Sequence, residues 1–424
     1  MGRSLNPVDA CALMNLVVKE ALGANAEIQT VSTANFASVG ETLLASGTEN
    51  VLNALSRVLG RTFMAVRPYD AKLKLINSVN TEMYTDRMRK ISFYAKDAQN
   101  SGWFNTDSYV QHASGLDNGV NRVVNGSISP IGGLGNMWEQ NQPVPLELNF
   151  AGRDVWDDSI TIYENQLKVA FRGPEEFGQF AAGFMTEKGN DIESQKEAFN
   201  RSIILQQIGM TYDMNQTGQR FDLKAGFNTK FGTNYTSAQL RTTYLKEFLA
   251  YAVAQMKIVS DQMTLRTKKF HWSPSKTVNG VSYSLVRHTP KSRQRCLLYQ
   301  PLLYDAEAQI FSQIFNPQYL DVGQYEGVDF WQNINDPSAV KITPAIPNTS
   351  DPTEQTTGST VALDYVVGLL YDEDAMMVDY QMDSAYTTPI EARKGYHNIW
   401  YHFSKNMIND PTENCVLFYM GNDV

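Results

Sequence analysis

Residues 395–406, GYHNIWYHFSKN, place two histidines and four aromatic side chains within twelve positions near the C-terminus. In a strand, successive side chains alternate between faces, so His397 and His402, five residues apart, point to opposite sides. A helix separates them as well, because its same-face neighbours lie three or four residues apart. The segment therefore predicts a strand covered on both sides, and it argues against a shared metal site or a two-histidine acid–base pair.

The composition indicates a chain that buries much of its surface against partners. Its 424 residues exceed the usual size of a single core, which predicts two or three subdomains. Charged residues make up only 19% and aromatic residues 11%, and the net charge is −9. This acidic balance argues against a dedicated nucleic-acid binder, since phosphate affinity comes from Lys and Arg. No run of about 20 apolar residues is present, so no membrane-spanning segment is expected.

Cysteine usage fits a chain made in a reducing compartment. Cys11, Cys296 and Cys415 are too few and too scattered for a disulfide framework. Synthesis inside a cell is therefore expected.

Two strand patterns flank a long irregular stretch and predict a projecting arm. KISFYA (90–95) and LELNF (146–150) are typical of edge strands, and the residues between them, rich in Gly, Asn and Ser, show no periodicity. An isolated two-stranded arm is marginally stable in water, so we expect it to lie on a neighbouring subunit. The large apolar residues of the irregular stretch are the candidate interface residues, because a monomer would expose them: Trp103, Phe104 and Trp138.

The segment that follows predicts a strand and then two helices. QLKVAF (166–171) has the alternation of a strand. Pro174 then opens a first helix that ends at Gly189, and Asn190 caps a second, longer helix to about residue 210. The buried side of this second helix is predicted to carry Ile192, Phe199 and Ile203.

The next part of the chain predicts an α/β unit. After a loop of about 25 residues, Thr236 and Gln239 form a capping box for a further helix. The following residues predict strands at 296–300 and 361–371, a helix over 305–314 and a Pro/Thr-rich loop over 336–360. The histidine-bearing strand comes next, and NCVLFY (414–419) supplies the last strand.

No catalytic motif accompanies these elements. The sequence has no P-loop, GxSxG, HExxH, EF-hand loop or GxGxxG motif in the required context. The acidic groups RDVWDD (153–158) and YDEDAMMVD (371–379) could hold a divalent ion or a pair of catalytic carboxylates. Both lie where strands turn, however, and Asp is common there for turn chemistry. The sequence therefore predicts no catalytic, cofactor-binding or metal-ligating residues, and no enzyme.

Three stretches and the order of the elements resemble a known family. TANFASVGETLL (33–44), LKVAFRGPEEFGQF (167–180) and RKGYHNIWYHFSKN (393–406) are similar to segments of tailed-bacteriophage major capsid proteins with the Hong Kong 97-type fold. The resemblance is greatest to the capsid proteins of short-tailed phages related to phi29. The chain departs from that pattern in the Gly-rich stretch 100–141 and in the loop from residue 336.

The resemblance implies an α+β capsid fold with four named parts. The opening segment would belong to the sheet of the P domain and pack against its long spine helix, with both histidines structural. The implied parts are an N-terminal arm (1–75), an E-loop region with a Gly-rich insertion (76–165), a P domain with a spine helix near 190–210 (166–235 and 390–424) and an inserted A domain (236–389).

The resemblance also implies a non-enzymatic function in the virion. Many copies, as pentamers and hexamers, would form an icosahedral or prolate shell around packaged double-stranded DNA. The expected partners are other copies, a separate scaffolding protein and a portal, with DNA held only by weak non-specific contacts, and with no membrane and no cofactor. Synthesis would take place in the cytoplasm of the host bacterium. The alternatives are another virion protein, such as a portal or tail protein, or a soluble hydrolase that uses the Asp clusters.

Overall fold

The fold mixes helices with several sheets, which confirms the α+β class. The computed structural model describes residues 7–22, 30–45, 54, 73, 75–78, 87–96, 122–124, 127–129, 143–151, 154–214, 218–278, 281–309, 324–348 and 354–423. In this part of the chain the helices are α1 (Pro7–Leu22), α2 (Phe36–Ala45), α3 (Glu164–Ala170), α4 (Pro174–Asp213), α5 (Leu223–Phe231), α6 (Ser237–Arg241), α7 (Leu245–Met263) and α8 (Gln300–Gln309).

The strands are short except near the C-terminus. In chain order they are β1 (Asn77–Ser78), β2 (Arg87–Phe93), β3 (Ala95–Lys96), β4 (Arg122–Val124), β5 (Ser127–Ser129), β6 (Pro145–Ala151), β7 (Asp154–Tyr163), β8 (Arg220–Asp222), β9 (Ser275–Val278), β10 (Val281–Ser284), β11 (Gln294–Tyr299), β12 (Gln324–Val328), β13 (Val340–Ile342), β14 (Ala345–Pro347), β15 (Gln355–Thr357), β16 (Val361–Leu363), β17 (Tyr365–Asp372), β18 (Met376–Thr387), β19 (Tyr396–Asn409) and β20 (Cys415–Met420).

A five-stranded sheet forms the main core. Its order is β12-β11-β17-β20-β8, and every position of β17 and β20 is buried. Both strands are apolar runs, the pattern of a strand covered on both faces. Side chains from α4, α5 and α7 join the same hydrophobic cluster.

A four-stranded sheet of order β1-β18-β19-β7 carries the opening segment. The 14-residue strand β19 pairs antiparallel with β18 on one side and with β7 on the other. Its buried residues 397, 399, 401 and 403 share one face, whereas from Ser404 onward the buried positions are 404, 406 and 408, on the opposite face. The strand therefore buries opposite faces along its two halves. The first of these faces contributes Ile399, Tyr401 and Phe403 to a second core with α1, α2 and the start of α4.

The helix expected to be the spine is part of a single helix of 40 residues, α4, and the prediction of two helices is wrong. Gly189 does not end a helix and Asn190 does not cap one. A glycine inside a helix costs only about 1 kcal/mol relative to Ala, and α4 is supported by contacts with α1, β19 and β20. Gly173 is the N-cap and Pro174 opens the helix, as predicted.

The strand prediction for residues 166–171 is also wrong, because these residues lie in and just after α3. A short apolar run fits a strand or a buried helix equally well, and packing decides between them. Ala170 and Phe171 are buried here, and the Phe171 ring stacks 5.5 Å from that of Phe177. This contact anchors α3 on the start of the spine.

Several other elements differ from the expectation. The predicted loop before Thr236 contains β8 and α5, and the loop over 336–360 contains β13, β14 and β15. The capping box of Thr236 and Gln239 is confirmed, but the helix that it opens ends at Arg241 and α7 begins at Leu245. The helix expected over 305–314 begins at Gln300 and is described to Gln309. Near the N-terminus, the spacing of apolar residues predicts helices around 10–22 and 41–59. The first matches α1, whereas most of the second lies outside the described residues.

Candidate assembly surface

The two strands predicted for the arm pair with each other. β2 and β6 form an antiparallel ribbon in which Arg87 lies opposite Ala151 and Phe93 opposite Pro145. One face of the ribbon buries Leu146 and Leu148 in a small cluster with Tyr283 and Leu285. This face packs within the chain, where the sequence predicted contact with a neighbouring subunit.

The opposite face of the ribbon, here called the ribbon face, is open to solvent. Ile91 and Phe93 are 52% and 62% exposed, and they alternate with the buried positions of β2. Beside them, Arg89 Nη2 donates to Glu147 Oε2 at 2.7 Å across the two strands. The ribbon face therefore combines two large apolar side chains with an exposed ion pair.

The interface residues predicted from the sequence lie outside the described residues, so their role in subunit contacts stays a prediction: Trp103, Phe104 and Trp138.

The outer face of the four-stranded sheet, here called the sheet face, carries a row of aromatic side chains. Trp400 lies opposite Tyr386 on one neighbouring strand and Ser159 on the other. The Tyr163 and Tyr396 rings are 6.0 Å apart, and the Tyr386 and His402 rings 5.6 Å. Tyr386 is 62% exposed, and the other members are exposed or half-buried. The residues of this row are Tyr163, Tyr386, Tyr396, Trp400 and His402.

The inner face of β19 is core. His397 is fully buried, with Nδ1 3.0 Å from the Thr388 carbonyl oxygen. Tyr401 lies on the same face, and burial raises the pKa of its hydroxyl far above the ordinary value. The two histidines thus point to opposite faces, as predicted. Among the described residues, only the inner face of this half of β19 is fully buried, and the row of aromatics on the outer face is half-buried or exposed.

The first acidic group of the sequence does not converge on a point. Asp157 and Asp158 are successive strand residues, so they point to opposite faces. Asp154 Oδ2 lies 3.2 Å from Lys405 Nζ.

The second acidic group is held by arginines. Arg293 pairs with Asp372, Glu373 and Asp374, and Arg295 Nη2 donates to Glu373 Oε2 at 2.7 Å. Asp372 also accepts from Thr289 Oγ1 at 2.7 Å. Within the described ranges, no group of three or more His, Cys, Asp or Glu residues is placed to hold a metal ion. Both acidic groups thus serve strand and turn structure in this part of the chain.

The residues predicted for the buried side of the spine lie along α4 against two different cores. Phe199 and Ile203 belong to the main core, and the Lys405 ammonium lies 4.7 Å from the centre of the Phe199 ring. Ile192 is half-buried and packs against the second core. The spine therefore joins the two cores.

Sequence reasoning missed both exposed surfaces. The alternation in KISFYA contained the signal for Ile91 and Phe93, since the polar Ser92 between them indicates that they share the face opposite to it. No comparable signal marked the sheet face, because Tyr and Trp are common on buried and exposed positions alike.

A family model matches most of the part of the chain that forms these sheets. The model of the Phi29-like phage major capsid protein family matches residues 147–419, more than half of the chain. The chain belongs to this family. It is therefore a structural protein of the virion that assembles with further copies of itself, and the portal, tail and hydrolase alternatives are not favoured. The resemblance drawn from the sequence is confirmed.

The other comparisons are more distant. No curated protein matches the chain. A capsid structure of Staphylococcus phage Andhra is 12% identical, covers 82% of this chain and 83% of its own, and gives a TM-score of 0.47. The structure of the head fiber and inner core protein gp22 of native bacteriophage P68 is 12% identical, covers 83% of this chain and 87% of its own, and gives a TM-score of 0.44. A capsid structure of the cyanophage P-SCSP1u is 11% identical, covers 82% of this chain and 86% of its own, and gives a TM-score of 0.38. The assignment rests on the family match and not on these similarities.

The helices of the described ranges are too short or too polar to span a membrane.

Proposed function

We propose that this capsid subunit builds a closed icosahedral or prolate shell, as pentamers and hexamers, and that the sheet face and the ribbon face make contacts between subunits. The observation that carries the proposal is the aromatic row of the sheet face, with Tyr386 62% exposed on a regular four-stranded sheet. Tyr and Trp at the centre of an interface commonly supply most of its binding energy. A row of four Tyr and Trp side chains and one His suits burial against a second copy.

Charge favours a protein partner for the sheet face over nucleic acid. Asp157 is exposed on β7 and lies opposite His402, on the same face as the aromatic row. Acidic side chains repel the phosphates of nucleic acid. A protein surface that is apolar and carries no net negative charge can instead pack against a face that holds an acidic side chain. The ribbon face offers Ile91 and Phe93, and the Arg89–Glu147 ion pair beside them leaves no net negative charge to repel Asp157. We propose that the ribbon of one copy lies on the sheet face of the next.

This arrangement suits the energetics of a shell. Each contact is limited to a few aromatic and aliphatic side chains, so each pair of subunits would bind with modest affinity. Many such contacts around a closed shell give a stable assembly, while weak single contacts let misplaced subunits dissociate.

The parts of the fold take the names implied by the family. We assign the N-terminal arm to 1–75, the E-loop region to 76–165, the P domain to 166–235 and 390–424, and the A domain to 236–389. A separate scaffolding protein and a portal are the further partners that we propose, with weak non-specific contact to packaged double-stranded DNA. Synthesis in the cytoplasm of the host bacterium precedes incorporation into the virion.

Truncation of the sheet face tests the proposal. The variant Tyr386→Ala/Trp400→Ala removes two outward rings, and Tyr304→Ala removes an exposed tyrosine of α8 as the matched control. We expect the double variant to stay folded by circular dichroism but to form few or no shells by sedimentation and negative-stain microscopy, with the control at the parental yield. Parental shell yield in the double variant would show that the sheet face is not an assembly contact.

A further inference from the structure

The base of the ribbon is tied to the body of the chain by a buried group of four charges. The basic members are Lys90 on β2 and Arg287 just after β10, and the acidic members are Asp410 and Glu413 in the turn between β19 and β20. Asp410 is fully buried and Glu413 is 9% exposed. We call these four residues the latch.

Lys90 makes the direct connection between the ribbon and the turn. Its ammonium donates to Asp410 Oδ2 and to Glu413 Oε1. Arg287 completes the group, since its Nε lies 3.4 Å from Glu413 Oε1 and its Nη2 donates to Ser92 Oγ on β2 at 2.7 Å. Two cations and two anions therefore meet in one place and leave no net charge.

The turn that receives Lys90 is itself fixed to the body. Asp410 Oδ1 accepts from Thr412 N at 2.8 Å and from Thr412 Oγ1 at 2.6 Å. Asn414 Nδ2 donates to Thr289 Oγ1 at 3.0 Å, and Asn414 Oδ1 lies 3.0 Å from His271 Nδ1. The turn that binds Lys90 is thus fixed by hydrogen bonds to Thr289 and His271, and it leads directly into β20 of the main sheet.

The electrostatics agree with a closed latch. Burial alone would lower the pKa of Lys90, but Asp410 and Glu413 together raise it above the ordinary value. Burial raises the pKa of Glu413, while Lys90 and Arg287 oppose that shift. Removing one partner of such a group leaves an uncompensated buried charge, which is strongly unfavourable.

We propose that Lys90 is a positioning residue for assembly: through Asp410 and Glu413, with Arg287 as support, it fixes the direction in which the ribbon leaves the body. The apolar cluster beneath the ribbon is non-directional, whereas charge-assisted hydrogen bonds have a defined geometry. The ribbon face meets its partner only if the ribbon leaves each copy at the same angle. This role rests on the proposed function, while the latch itself is a property of the single chain.

The neighbouring residue supplies a matched control. Arg89 and Lys90 are adjacent, basic and ion-paired, but Arg89 pairs with Glu147 on the exposed ribbon face, with side chains 58% and 42% exposed. Lys90→Met therefore breaks a tie to the body, and Arg89→Met breaks only an exposed pair within the ribbon. Lys90→Arg keeps the charge, and Lys90→Met/Asp410→Asn removes one charge of each sign and leaves Arg287 paired with Glu413.

Hydrogen exchange on unassembled subunits, followed by mass spectrometry, measures the latch without requiring shells. In Lys90→Met and in the double variant we expect the amides of β2 and β6 to exchange roughly tenfold faster or more, as the loss of a charge-assisted hydrogen bond permits. Arg89→Met should exchange as the parent does, and Lys90→Arg should restore most of the protection. Because the double variant leaves no unpaired buried charge, it decides the result if Lys90→Met alone unfolds.

Shell yield and diameter by electron microscopy then measure the positioning role. Faster ribbon exchange together with few or malformed shells, both restored by Lys90→Arg, is the expected result. Parental ribbon exchange in the double variant would overturn the latch. Faster exchange with normal shells would overturn the positioning role. A parent chain that forms no shells even when it is produced together with its scaffolding protein would instead overturn the proposed function, and the exchange data would still decide the latch.

Discussion

The last two strands of the chain are both rich in aromatic residues but lie in different environments. β20 is buried at all six positions between β17 and β8, with α4 and α5 packed against it. β19 buries one face of its first half and presents Tyr396, Trp400 and His402 on the other. The difference shows that the layers packed around an aromatic-rich strand decide whether its side chains are buried in a core or exposed on the surface. Substitutions in β20 should therefore lower the stability of the subunit, whereas substitutions on the outer face of β19 should reduce assembly.

Truncation of Phe418 should give the largest effect on stability. Its ring is fully buried in the main core, 6.0 Å from that of Phe221. We expect Phe418→Ala to lower the free energy of unfolding by about 3–5 kcal/mol, because the cavity adds to the lost transfer energy. Urea denaturation of unassembled subunits measures it. A loss below about 1 kcal/mol would remove the contrast between the two strands, since that is the size of an ordinary substitution.

A methyl group added to the central strand next to β20 should cost less. Gly368 lies on β17 at an irregularity in its pairing with β20, and a Cβ there would come within 2.7 Å of the Leu297 carbonyl oxygen. Gly368→Ala should therefore destabilise the chain by roughly 1–3 kcal/mol through overpacking. Thermal melting of unassembled subunits measures this cost, and an unchanged melting temperature in Gly368→Ala would contradict the close contact.

The turn between the two strands should show a pH dependence of known sign. Burial raises the pKa of Glu413 above its ordinary value of 4.5, so the folded chain binds this proton more tightly than the unfolded chain. Its contribution to stability is full below 4.5 and is lost as the pH rises through the folded pKa, by about 1.4 kcal/mol for each pH unit between the two values. Urea midpoints from pH 4 to 7 should show the parent losing stability relative to Glu413→Gln as the pH rises. A parent that gains on the variant over this range contradicts the prediction.

Truncation on the outer face of β19 should have the smallest effect on stability. Trp400 is half-buried and its ring lies on the sheet face. We expect Trp400→Ala to cost about 1 kcal/mol or less in unassembled subunits, as partly exposed substitutions do. The same urea measurement used for Phe418→Ala gives the value. A cost equal to that of Phe418→Ala would place Trp400 in a core and refute the surface role of this face.

Local sequence patterns predicted the elements whose signals are independent of their surroundings. The capping box at Thr236, the helix start at Pro174 and the strand at 395–406 are such cases. The prediction that a helix ends at Gly189 is wrong, because contacts along a 40-residue helix outweigh the low helix propensity of one glycine. The latch was not predictable, because Lys90 and Asp410 lie 320 residues apart and each is an ordinary charged residue locally.

The sequence by itself determined the α+β class, the opposite orientation of His397 and His402, and the resemblance to the capsid family, because alternation, caps and family motifs are properties of neighbouring residues. Only the tertiary structure decided which face of β19 is covered, that α4 is continuous, and that the ribbon is held to the turn at 410–413. Burial and ion pairing depend on which distant layers meet, and the free energy of those contacts outweighs the small preferences of single residues.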